Sequence, residues 1–248
     1  MKPHFRETPG LADPAAFWIY LADQPLFFLA LTLLAYLVGD RLAQASGRNP
    51  VANPVLIAIL MIGAVLLLTG TSHARYFEGA RFVHVLLGPA TVALALPVFR
   101  NRALITRHWK AIFLTLLVGA FTGVTSTVLL AHLMGLSPAT IASVAPKSVT
   151  AAIAMGIAEQ VGGTPLLTAV LVIATGICGA VMVIPLMNMI GVTDYAARGF
   201  AVGIAAHGIG TARALQVNEV AGAYAALGMA LNGLMTAIIV PLLFTFAM

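Results

Sequence analysis

Charge is scarce in this chain: Asp, Glu, Lys and Arg together make up 8% of its 248 residues. A soluble domain carries about 25%. No soluble fold could cover its surface with so few charges while hiding a chain that is 60% hydrophobic. The same scarcity excludes a disordered chain, which is polar and charge-rich. Cysteine is almost absent. The one present, Cys178, builds neither a disulfide framework nor a metal cluster, and its apolar setting predicts a small packing residue. His84, His108 and His132 form no metal-spaced pair, so no metal and no cofactor is expected. Linkers of Pro/Ser-rich or charge-run character are missing, which leaves one membrane domain over 1–248.

What the chain has is apolar length. Its mean hydropathy is +1.00, and a membrane-crossing helix needs about 20 apolar residues. Plain spans are expected at 17–38, 52–70, 82–98, 111–134, 165–190 and 222–247, the first ending at Gly39-Asp40-Arg41 with Asp23 near its start. Gly88-Pro89 predicts a kink in the third. Ala43-Gln44-Ala45 resembles a signal-peptide cleavage site, but the polar lead and the apolar run are both too long for one. The fold class is an all-α polytopic membrane protein. The net charge of +5 is the loop bias of such proteins rather than a nucleic-acid signal. Arg41, Arg48, Arg100, Arg102, Arg107 and Lys110 mark two loops as cytoplasmic, which puts the N-terminus outside.

Two segments, 137–163 and 196–221, are irregular. They are related by a shift of 60 residues: Lys147 falls on His207, Glu159 on Glu219 and Gly162 on Gly222. Each is followed by a clean span, ending in Gly176…Pro185 and Gly233…Pro241. If each irregular segment turns back to its own side, the units 137–190 and 196–247 are inverted repeats, with a site where broken helices meet. The spans over 17–134 would then be scaffold, and 137–248 a transport core of elevator-like architecture. If each segment crosses, the units are parallel.

The chemistry-bearing residues concentrate in these segments. Pro146 predicts a helix start, whose free amides would face the same space as Lys147, Ser148 and Thr150. Together they make an anion site. A lysine reaching the interface, with hydroxyls bonded back to helix carbonyls, would give the same pattern. In His207-Gly208-Ile209-Gly210-Thr211-Ala212-Arg213, the glycines Gly208 and Gly210 predict unwinding. His207 can titrate near neutral pH and Arg213 can hold a carboxylate through two bonds, with Thr211 beside them. A glycine kink in a packed helix is the competing account. Glu159 and Glu219 are candidate counter-ions or proton carriers, or plain helix-end charges. Asn232 is a deep polar residue suited to pairing with unwound backbone, and Asn188 is a second polar residue near a span. Phosphate-loop and dinucleotide patterns fail, because Pro146, Ile141 and Arg213 stand where glycines are required. No nucleophile motif surrounds Ser126 or Ser148, so an enzyme is not expected.

Four stretches resemble the LrgB (CidB-like) family: Leu87-Gly88-Pro89 through Ala95; Pro146-Lys147-Ser148-Val149-Thr150 to Gly163; His207-Gly208-Ile209-Gly210-Thr211-Ala212-Arg213-Ala214; and Glu219 through Asn232-Gly233 to Thr236. One branch of that family is antiholin-like, affecting murein hydrolases and lysis with a small holin-like membrane partner. Another includes the plastidal glycolate/glycerate transporter. The resemblance implies a homodimeric, multi-pass protein of the bacterial cytoplasmic membrane. It would carry small monocarboxylates of the glycolate, glycerate, lactate or pyruvate class, or else regulate lysis. Gly156 departs from the family, which favours a polar or acidic residue there.

Overall fold

A computed structural model describes residues 24–47, 49, 51–86, 89, 92–93 and 95–247. Among them the chain is all-helical. It falls into two compact units, Met1–Thr91 and Val92–Met248.

The first unit holds α1 (Pro25–Ala45), α2 (Pro54–Thr69) and α3 (His73–Val85). Helix α1 runs straight through Gly39-Asp40-Arg41, where the sequence predicted an end. Gly39 is needed for packing: a Cβ there would lie 2.6 Å from the Pro54 carbonyl oxygen. Helix α2 begins at Pro54, capped by the Asn53 side chain, and ends at left-handed Gly70. The short polar stretch from His73 is helical. Residues 87, 88, 90, 91 and 94 of the expected span 82–98 lie outside the described residues, as does Asp23.

The second unit contains the short helices α4 (Ala95–Arg100) and α5 (Arg102–Arg107), then α6 (Trp109–Leu133), α7 (Pro138–Val144), α8 (Ala151–Gln160), α9 (Pro165–Met189), α10 (Tyr195–Val217) and α11 (Glu219–Ala247). Four described helices, α1, α6, α9 and α11, are long and apolar enough to cross a membrane by length and composition.

Two segments of this unit turn back on themselves. Helix α7 leads into a non-helical tip over 145–150, and α8 returns. On one straight helix, residues 143 and 163 would stand about 30 Å apart. Instead a Cβ on Gly163 would lie 2.8 Å from the Ser143 amide nitrogen. Ser143 clasps the base. Its hydroxyl accepts from the Thr164 amide at 2.8 Å, and its carbonyl accepts from the Thr168 hydroxyl at 2.9 Å.

Helix α10 is broken at Ala206 and His207, where His207 has φ 41° and ψ −134°. Residues 202 and 210 would be about 12 Å apart on a straight helix. Here a Cβ on Gly210 would lie 2.8 Å from Val202 Cγ2, so the two arms of α10 pack face to face. The break falls one residue before the glycine pair that predicted unwinding. Its cause is tertiary: the His207 ring is bonded to α9, while Gly208 and Gly210 stay helical.

The first hairpin is rooted at the start of α9, beside Thr168. The second is rooted at its end, where Val183 packs with Val202. The two tips therefore point toward each other along α9.

Candidate functional site

The tips meet at Asn232, in the middle of α11 and 1% exposed. Its amide nitrogen donates to the Ile204 carbonyl oxygen of the second hairpin at 3.0 Å. The same nitrogen lies 3.4 Å from the Ser148 carbonyl oxygen of the first. These bonds fix which way the amide points. They leave Oδ1 buried with no hydrogen-bond partner. A buried acceptor without a donor costs about 1–3 kcal/mol.

Asn232 lines a cavity of 320 Å³ together with Lys147, Ser148, Thr127 and Thr236. Lys147 is half-buried, and its Nζ stands 3.5 Å from the Ser148 hydroxyl. The far wall is α6, whose Thr115, Gly119, Gly123 and Thr127 follow one another at four-residue spacing and so share a face. An ammonium and hydroxyls thus line a space large enough for a molecule of a few heavy atoms, with Asn232 in its wall. Such a set takes a small anion.

The other sequence-predicted residues lie elsewhere. The expected helix start at Pro146 is not found, because residues 145–148 form turns and α8 begins only at Ala151. Thr150 is its N-cap residue, with no capping bond from its side chain. His207 is 4% exposed, and its Nε2 is 2.9 Å from the Val172 carbonyl oxygen. A Cβ on Gly176 would sit 2.7 Å from the His207 ring, and one on Gly179 would collide with Ala206. The α9 glycines therefore make the seat for this tip. The Thr211 hydroxyl donates to the His207 carbonyl at 2.8 Å. Gly208 and Gly210 lie in the returning arm, Gly210 closing it onto Val202.

Arg213 lines a separate, narrow recess with Arg198, Tyr195 and Val217. The fold does not bring it to Lys147, since it stands on a different face of the second hairpin. Glu159 is exposed. Glu219 is exposed too and faces Arg100 at 3.8 Å. Asn188 accepts from Arg198 at 2.7 Å. Cys178 is exposed rather than packed, because it falls on the outward side of α9. Among the described residues no group of His, Cys, Asp or Glu could hold a metal ion. Sequence reasoning missed Thr115 and Thr127, and it met Thr236 only as the end of a family-like stretch. The small-residue spacing along α6 was the available signal.

Residues 32–246 match the LrgB-like family. Holin-like protein CidB of Staphylococcus epidermidis (strain ATCC 12228 / FDA PCI 1200) is 32% identical over 220 residues, 89% of this chain and 96% of that protein. Holin-like protein CidB of Staphylococcus aureus (strain N315) matches to the same extent. An uncharacterized protein of Bacillus subtilis (strain 168), YwbG, is 33% identical over 218 residues, 88% of this chain and 96% of its own. No solved structure matches the chain.

Proposed function

This chain belongs to the LrgB-like family, and from that premise we propose that it is a secondary transporter of small monocarboxylates. The class is 2-hydroxy or 2-oxo acids of the size of glycolate, glycerate, lactate or pyruvate. One observation carries the reading: Lys147, Ser148 and Asn232 line one cavity where two opposed hairpins meet. Lys147 holds the carboxylate, Ser148 adds a hydroxyl, and Asn232 ties the two hairpins together at the cavity wall. His207, Gly208, Gly210 and Thr211 serve the second tip rather than the carboxylate, and Arg213 faces its separate recess. Glu159 and Glu219 remain candidates for carrying coupling protons.

The units 137–190 and 196–247 act as inverted repeats in this proposal. Cross-contacts at equivalent places support it. Asn232 of α11 meets Ser148 of the first tip, and Val172 of α9, 60 residues earlier, meets His207 of the second. Opposed hairpins are suited to an elevator-like motion of a homodimeric carrier in a bacterial cytoplasmic membrane. In proteoliposomes, labelled glycolate or lactate uptake collapses in Lys147→Ala. Unchanged uptake in that variant overturns the reading.

A second reading is favoured by the names of the relatives, which are holin-like. It makes the chain an antiholin-like regulator of murein hydrolase activity and lysis, acting with a small membrane partner. Lysis control that survives Lys147→Ala, in a protein that moves no labelled acid, decides for this second role.

A further inference from the structure

The cavity at Lys147 does not stand alone. A recess of 470 Å³ opens at the end of the second unit where α6 begins, α9 ends and α10 starts, beside His108 and Asp194. It shares Thr115 and Ala201 with the Lys147 cavity. A recess of 510 Å³ at the opposite end, lined by Pro138, Gln160 and Phe244 among others, shares no residue with the cavity.

Two facing stripes explain the difference. On α6, Ala111 lines the recess, Thr115 lines both spaces, and Gly119 lines the cavity. On the first arm of α10, Ala197, Ala201 and Ala205 do the same in the same order. Both stripes follow four-residue spacing, so each occupies a single helix face. Small residues at such spacing usually let helices close on each other. Here they border empty space, and a Cβ on Gly123 further along would meet nothing within 4 Å. The half-buried Lys147 beside the Ser148 hydroxyl is the second sign that this space holds a ligand.

That end is also the basic one. Among the described residues after 94, Arg100, Arg102, Arg107, Lys110, Arg198 and Arg213 all belong to it, against Asp194 and Glu219. Lys147 is the remaining cation. A field of that sign concentrates small anions at the mouth, and loops of that composition face the cytoplasm.

We infer that the substrate passes between the basic-end recess and Lys147 through a port walled by Thr115 and Ala201, so that this structure is open to the cytoplasm. The inference rests on the carrier reading. It is tested by cysteine accessibility in a Cys178→Ala background, since Cys178 is the one native cysteine. Thiols react with a charged maleimide only where water reaches them. Ala201→Cys and Ala205→Cys are labelled by the impermeant reagent in inside-out vesicles and protected in intact cells, and excess glycolate or lactate slows the reaction. Phe244→Cys, in the opposite recess, is labelled from outside and is indifferent to the acids. Ala201→Trp loses uptake while eluting and melting as the parent, and Ala201→Ser keeps it.

Labelling of Ala201→Cys from outside, or full uptake by Ala201→Trp, overturns the port. So does uptake in the parent with no protection of Ala201→Cys by either acid. Absence of uptake in the parent defeats the carrier reading instead, and the sidedness of labelling still reads the opening.

Discussion

The two hairpins do the same topological job by opposite means. The first turns through six non-helical residues, 145–150, and leaves Lys147 and Ser148 beside a cavity. The second turns at two residues, with its own polar side chain, His207, swallowed against α9. A loose tip can present chemistry. A tight one must be held in an unfavourable backbone conformation by its neighbours. The equivalence of Lys147 and His207 in sequence therefore hides a division of labour: the lysine serves the cavity and the histidine pins the fold.

That contrast can be broken most severely at Lys147. Removing one charge-assisted contact of about 1.5–3 kcal/mol lowers the affinity for a labelled monocarboxylate by ~10- to 100-fold. Thermal stability in detergent stays unchanged, and a large drop in melting temperature would make Lys147 a structural residue. Next comes Asn232→Leu, which strips the donor from both tips and leaves two carbonyls bare. It costs about 2 kcal/mol or more, read as a lower melting temperature together with lost uptake.

Gly179→Val forces a side chain into Ala206 and costs about 1–3 kcal/mol. The same change at Gly156, where a Cβ meets nothing within 4 Å, costs less, and melting curves of the pair compare the seat of the tight tip with the open arm of the loose one. At His207 the comparison sharpens into a reversal of rank. Both Ala and Gly lose the bond to Val172, but only glycine accepts φ 41° freely. His207→Gly is therefore more stable than His207→Ala by ~1 kcal/mol, contrary to helix propensity. The smallest effect is Arg100→Ala. Its partner Glu219 is exposed, the pair is 3.8 Å apart, and the change in stability stays below about 0.5 kcal/mol.

Much of this was legible in the amino acids. Helices α2, α6, α9 and α11 lie within a few residues of where continuous apolar runs put them, because such runs have little else to do in a membrane. Segments 137–163 and 196–221 stood out because proline, glycine and charge interrupt the apolar pattern. Where each breaks was not legible. Pro146 lies within the turn instead of starting a helix, and Gly208-Ile209-Gly210 stays helical while His207 bends. Those positions are set by α9 and α11, through Val172, Gly176 and Asn232, which no local rule contains. Arg213 was as conspicuous as Lys147 in sequence. Whether a residue six positions beyond a bend faces a cavity or a side recess depends on how the returning arm is rolled, and here it faces the recess with Arg198.

The position of Asn232 has a consequence for how the protein is made. The tips it joins are complete by residue 207, yet the amide that satisfies both belongs to α11, which is synthesised after them. Domains assemble roughly in the order of their synthesis. Until Asn232 is made, then, the nascent chain holds two inserted loops with nothing between them. Helix α11 is the keystone set after both, and a chain cut short before it would offer quality-control proteases two unsecured tips.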